Sequence, residues 1–214
     1  MLQINYGAAA GDTKINSRYE SNAAIGDLFT KIMEGSYPYL NNNNNYKILK
    51  ASMLDTPLGP VIAVADEKAL FLLEFMDKRS LEWHVEKLRK RTKSVIVHGI
   101  TQTINSIEKE LKSYFDGSLK NFKTALNLTG TSFQERAWSE LCKIPYGKTK
   151  SYAEQASSIE RQSAYRAVAN ANGSNKIVIV IPCHRVVRSN GALGGYGAGI
   201  DRKRWLLDHE QKNK

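Results

Sequence analysis

Five consecutive β-branched residues, Ile177 to Ile181, are followed at once by proline, cysteine, histidine and arginine. A run of that kind has no polar face to turn outward, so it belongs in an interior and reads as a buried strand. Pro182 has no N–H to give to a ladder, so the strand should stop there and present Cys183 at its end. A cysteine on a rigid element beside His184 suits an activated thiol, because thiolate is the nucleophile and a nearby base or positive charge creates it near neutral pH. The competing reading is a cysteine that is merely buried. An isolated Cys-His pair does not decide between them.

The rest of the chain splits by pattern. Residues 1–45 read as a flexible N-terminal extension, with a short helix around Ile25 to Met33 and the tract Asn41 to Asn45, which has no apolar side chain to bury. Residues 46–128 read as a small α/β domain. Lys47–Leu54, Val61–Ala65 and Ala69–Phe75 form a strand meander, with a turn over Thr56 to Pro60. Helices follow over Leu81–Arg91 and Thr103–Phe115, the second marked by Ile104, Ile107, Leu111 and Phe115 at helical spacing. A linker near Leu128 to Ser132 opens a second domain, residues 129–214. Its first helix carries Phe133, Ala137, Trp138 and Leu141 on one face and ends at Pro145-Tyr146-Gly147, and Cys142 reads as core. Ser151-Tyr152-Ala153-Glu154 is a capping box. Ala164, Ala167, Val168 and Ala171 mark a further helix, with Gly173 placed to close it. Two short helices joined by a tight turn suggest a helix-turn-helix.

Charge adds a partner class. Thr131 to Lys214 holds 14 Lys and Arg against 7 Asp and Glu, so +7 of the net +10 lies in the last 84 residues. That asymmetry suits a polyanion, whose condensed counterions Lys and Arg displace, and it equally suits a merely basic surface. With two cysteines there is no disulfide framework, no run approaches the roughly 18 apolar residues of a membrane span, and no secretory layout opens the chain. The expected compartment is the cytoplasm, or the nucleus in a eukaryote.

The longer string removes the ambiguity at Cys183. Asn175 to Tyr196, with Pro182-Cys183-His184-Arg185 at its centre, and then Arg202 to Glu210, closely resemble the O6-alkylguanine-DNA alkyltransferases, the methylated-DNA–protein-cysteine methyltransferases. The resemblance runs from about Phe133 to Glu210. More loosely, Tyr46 to Asn127 looks like the family's ribonuclease-H-like domain. The implied fold is a two-domain α/β (α+β) chain: a ribonuclease-H-like N-terminal domain with a β-meander, and a winged-helix-like helix-turn-helix domain carrying the acceptor cysteine.

The resemblance also implies roles. Cys183 takes the alkyl group from O6-alkylguanine in double-stranded DNA, with O4-alkylthymine as a further possible substrate. His184 is the base, acting through a water, and Glu210 is its acidic partner. Asn175 braces the cysteine loop. Tyr152 contacts the extruded base and donates to the leaving guanine, although by itself it reads as a helix-start aromatic packing inward. Tyr196 walls the pocket, and backbone groups of Cys183, Val186 and Gly197 meet the guanine edge. Arg166 fills the gap left when the nucleotide rotates out, since a stacked base hides its O6. The small face of Ala164, Ala167 and Ala171 suits a minor groove. The product thioether has no ready route to hydrolysis, so each molecule, a monomer without cofactor, acts once. Some relatives hold a structural zinc; residues 1–130 contain no cysteine and only His84 and His98, so no metal is expected. A lesion sensor lacking transfer, a cysteine hydrolase and a transcription factor are the rival readings.

Overall fold

The computed structural model describes residues 22–36 and 46–214. These fall into two compact units, one ending at Thr129 and the other running from Gly130 to Lys214.

In the first unit, β1 (Lys47–Leu54), β2 (Val61–Ala65) and β3 (Leu70–Phe75) form the antiparallel meander expected from their alternation and turn residues. The turn between β1 and β2 is closed by Thr56, whose hydroxyl donates to the Gly59 carbonyl at 2.6 Å and accepts from Leu58 N–H. The sequence reading passed over β4 (Ser94–His98), which lies parallel to β1 and gives a mixed sheet ordered β3-β2-β1-β4. Its partner lies far away in the chain, so no hairpin signal announces it. Helix α2 (Leu81–Thr92) makes the crossover to β4, and α3 (Gln102–Phe115) packs on β1 and β2. Every residue of β2 and β3 is buried, as a sheet covered on both faces requires.

Residues 22–36 depart from the expected flexible extension. The helix expected around Ile25 to Met33 is present as α1 (Asn22–Glu34), but it is docked: its Ile25, Leu28 and Ile32 are buried against Leu49, Ala51, Ile96 and the α2 residues Val85 and Leu88. Each such aliphatic side chain contributes about 1.5–3 kcal/mol by leaving water, so α1 is part of the core. Arg89 of α2 donates to the Ile32 carbonyl and ties the two helices together. The tract Asn41 to Asn45 lies outside the described residues.

The second unit contains α4 (Ser132–Cys142), α5 (Tyr152–Ser158), α6 (Tyr165–Gly173) and α7 (Ile200–Lys212). A two-stranded parallel ladder, β5 (Lys150–Ser151) with β6 (Val186–Val187), sits beside them. The capping box at Ser151 and Glu154 is present: Ser151 Oγ accepts from Glu154 N–H, and Glu154 reaches back to Ser151 N–H. Helices α5 and α6 are joined by a reciprocal pair of buried amides. Gln155 Nε2 donates to Asn172 Oδ1 at 3.1 Å and Asn172 Nδ2 returns a 2.7 Å bond, while Gln155 also reaches the Ala137 carbonyl of α4. Trp138 Nε1 donates to the Ala171 carbonyl at 2.8 Å. The angle of the helix-turn-helix is therefore set by hydrogen bonds as well as by its thin apolar layer of Ala156, Ile159 and Val168. Gly173 is the last residue of α6, not a left-handed closing residue, and Ser174 caps the end.

Candidate active site

The apolar run Ile177–Ile181 is as buried as its composition demands, but it is not a strand. It folds into successive tight turns, with Val180 N–H on Val178 O, Ile181 N–H on Ile177 O and Cys183 N–H on Ile181 O. Ile179 sits at φ +70, a conformation that costs a β-branched residue about 1–2 kcal/mol. β-branched composition reports burial here, while extended pairing also needs a partner that the fold does not offer. Asn175 holds the turns in place. Its Oδ1 accepts from Ile177 N–H, and its Nδ2 donates to the Ile181 carbonyl at 2.9 Å and to Cys183 Sγ at 3.3 Å. An N–H aimed at sulfur stabilises negative charge there.

Cys183 begins one turn of 3-10 helix, Cys183–Arg185, and is buried. The next two side chains converge on Glu210 of α7. His184 Nε2 lies 2.8 Å from Glu210 Oε1, with both side chains fully buried. Arg185 Nε donates to both carboxylate oxygens at 3.2 and 3.0 Å, Nη2 donates to Oε1 at 3.0 Å, and Nη1 donates to the Ile144 carbonyl. Gly147 N–H completes the set on Oε2 at 2.9 Å. Only glycine fits there: it sits at φ +65, and an added Cβ would lie 2.9 Å from the Glu210 carbonyl.

Burial alone would raise the Glu210 carboxyl, but hydrogen bonds and charge from His184 and Arg185 outweigh it and hold the group far below the usual carboxylate range. Burial pushes His184 below the ordinary imidazole value; Glu210 opposes this, and Arg185 and Lys203 add to it. The pair is therefore an anionic carboxylate and a neutral ring. An ionised carboxylate only accepts, so Nε2 carries the ring proton. Nδ1 keeps its lone pair and has no hydrogen-bonding partner among the described residues.

Cys183 also lines a cavity of about 470 Å³ with Tyr152, Arg166, Arg188, Tyr196 and the Gly194–Gly197 loop. Tyr152 is pressed against Gly194, and its phenol is pushed up by burial and by the charge of Cys183, so it stays protonated and able to donate. Lys203 of α7 runs beneath. It is fully buried, its ammonium donates to the carbonyls of Val186 at 2.5 Å and Gly195 at 3.2 Å, and burial brings it down to about 8. A larger concavity of about 680 Å³ lies between α4 and the end of α5. It is lined by Glu135, Glu140 and Glu160 and holds none of the candidate residues.

Cys183, His184, Glu210, Asn175, Tyr152, Tyr196, Gly197 and Arg166 thus gather at one place. Others do not. Ala171 is buried under Trp138, Ala164 precedes α6 and is half-buried, and Ala167 is exposed but away from the cavity, so the three make no common outward face. The face of α6 toward the cavity is Tyr165, Arg166, Ala169, Asn170 and Gly173. Val186 does not line the cavity; it is buried and its carbonyl is taken by Lys203. Cys142, expected in the core, is exposed. Arg185, Lys203 and Arg188 were missed. All three lie in the segments that carry the family resemblance, Arg185 in its Pro182-Cys183-His184-Arg185 core, but the sequence alone gives none of them a role. Among the described residues, no three His, Cys, Asp or Glu side chains are grouped to hold a metal ion, and no helix is long and apolar enough to cross a membrane.

Residues 132–212 match the family model of the 6-O-methylguanine DNA methyltransferase DNA-binding domain. The chain is 38% identical over 162 residues to a methylated-DNA–protein-cysteine methyltransferase of Methanosarcina barkeri, covering 75% of this chain and 96% of that one. It resembles the crystal structure of Mycobacterium tuberculosis OGT in complex with DNA, with a TM-score of 0.66 at 38% identity, covering 78% of this chain and 94% of that one. The O6-methylguanine-DNA methyltransferase of Pyrococcus kodakaraensis superposes with a TM-score of 0.56 at 25% identity, covering 76% and 98%.

Proposed function

Because the chain belongs to the methylated-DNA–protein-cysteine methyltransferase family, enzymes that repair DNA by alkyl transfer, we propose that Cys183 is the acceptor and O6-alkylguanine in duplex DNA the donor. The observation that carries this reading is the buried Glu210–His184 pair next to a cysteine whose sulfur is addressed by Asn175 and which lines a cavity. Glu210 holds Nε2–H, so Nδ1 of His184 is free to take the thiol proton, through one water as in the family. The thiolate attacks the alkyl carbon in line. The S–C bond forms, the C–O bond breaks, and the electron pair stays with guanine while the Tyr152 hydroxyl donates to it. Nothing regenerates the thioether, so one molecule accepts one alkyl group.

The cavity has room for a purine only if the nucleotide leaves the stack. Arg166 projects from the exposed side of α6 beside that cavity, which supports its role in filling the vacated space from the minor groove. The protein works as a monomer in the cytoplasm, or in the nucleus of a eukaryote, and needs neither metal nor cofactor. O4-alkylthymine offers the same alkylated exocyclic oxygen on a smaller ring.

Intact-mass and peptide analysis after incubation with O6-methylguanine duplex tests the reading, with an O4-methylthymine duplex in parallel. Gain of one methylene unit on the peptide holding Cys183 is expected. Binding without mass gain would make the protein a lesion sensor, and gain on any other residue would displace Cys183.

A further inference from the structure

Among the groups to which the proposed chemistry gives no role, Arg185 is the one bonded to the Glu210 carboxylate. Arg185 is 6% exposed, and it spends its guanidinium on Glu210 and the Ile144 carbonyl rather than on any surface partner. Glu210 is thereby shared. Its Oε1 receives both His184 and Arg185, and its Oε2 receives Arg185 and Gly147. A buried carboxylate facing a histidine alone tends to draw a proton onto the ring, and a protonated imidazole cannot take one from a thiol. Here the negative charge is already balanced by the guanidinium that clasps it.

We propose that Arg185 is a positioning residue for the transfer reaction: by clasping both oxygens of Glu210 it fixes the carboxylate's aim and balances its charge, so that Glu210 orients His184 without holding a second proton on the ring. This rests on the assignment of Cys183 as acceptor and His184 as base. The other groups facing His184 agree with it. Lys203 of α7 and Arg185 both disfavour a charged ring, and Glu210 alone favours one. The Tyr196 ring stands nearly perpendicular to the His184 ring at 6.4 Å, and the Arg185 guanidinium lies over the Tyr146 ring at 5.7 Å.

The test is the pH dependence of single-turnover transfer from O6-methylguanine duplex to Cys183, measured from pH 5.5 to 9 for wild type, Arg185→Met and Arg185→Lys, with thermal melts alongside. With Arg185→Met the full charge of Glu210 falls on His184. The acid limb is then expected to move up by about one pH unit, so the deficit relative to wild type is smallest at pH 9 and grows as pH falls toward 5.5, approaching about tenfold only below both limbs. Arg185→Lys restores a cation but not the two-armed clasp, and its limb should lie between the other two. Deficits that are equal at every pH would show a merely structural arginine and overturn the inference.

If Arg185→Met does not fold, the lysine variant and the histidine ring ¹⁵N signals of the wild-type protein carry the test. In wild type, His184 should remain neutral with the proton on Nε2 at pH 6; a protonated ring there would overturn the inference. Wild type that transfers to Cys183 while the variants' profiles stay parallel sinks only this inference. Wild type that transfers nothing sinks the assignment beneath it.

Discussion

Replacing Glu210 by glutamine tests the centre of the site, because an amide has no satisfactory orientation there. With its nitrogen at the Oε2 position, the amide faces Gly147 N–H and Arg185 Nε, donor against donor. Turned over, it faces His184 Nε2 and Arg185 Nη2. Each buried donor left unmatched costs about 1–3 kcal/mol, and a buried Arg185 without its counterion costs about 3–5 kcal/mol. The two terms overlap at Arg185, so the loss is taken at about 4 kcal/mol, which lowers the melting temperature by about 10 °C for a chain of this size.

The chemistry suffers as well. The second orientation drives the ring proton onto Nδ1, the atom that must accept from the thiol. By analogy with triads in which the orienting acid is amidated, transfer should slow by about 10²- to 10⁴-fold without vanishing. Acid stability gives an internal control. Glu210 is depressed in the folded state, so its contribution is complete above the ordinary carboxylate value of 4.5 and is lost as pH falls below it. The gap in melting temperature between wild type and Glu210→Gln should therefore narrow between pH 7 and pH 4. Single-turnover rates at pH 7.5 and melts at both pH values suffice. A rate within about threefold of wild type and a melting point within about 2 °C would refute the reasoning, since surface changes alone stay in that range.

Cys183→Ser should abolish transfer while leaving duplex affinity within a few-fold, because phosphate contacts lie elsewhere; methylation of Cys142 in that variant would refute it. Mixed with excess substrate, wild type should stop at one alkyl group per molecule, and continued turnover would indicate a hydrolase. Arg166→Ala should slow repair of duplex by at least about tenfold, reflecting the few kcal/mol lost on unstacking. It should leave reaction with free O6-benzylguanine near normal if wild type accepts that base, and equal slowing on both would point to a damaged pocket. Gly194→Ala adds a Cβ 3.1 Å from the Tyr152 ring at φ +68. It should slow both substrates together; an unaffected free-base rate would separate Tyr152 from the chemistry.

What the sequence made legible follows from the range of the interactions. The meander, the Ser151 capping box and α3 depend on neighbours a few residues apart, and they are present as read. β4 depends on a parallel partner more than forty residues earlier, so nothing local announces it, and α1 is legible as a helix around Ile25 to Met33 while its docking on a core built from β1 and α2 is not. At the site, Pro182-Cys183-His184 and Glu210 were found through the family string. Lys203 and Arg185 lie in the same string but take no role from it, because nothing in a linear pattern separates a solvated cation from one bonded to buried carbonyls or to a buried carboxylate. Ile177–Ile181 shows the reverse error, where a strong local preference for strand yields to the turns that Asn175 braces.

The reciprocal amides of Gln155 and Asn172 have a consequence for how this surface can diversify. Either side chain changed alone strands its partner in the interior, so the two positions can drift only as a pair, and the angle of α6 is inherited as a unit. The outward residues Tyr165, Arg166 and Asn170 are exposed and carry no part of that packing. If α6 meets the duplex as proposed, substitutions at those outward positions can retune that contact one at a time while the Cys183 sulfur stays where it is.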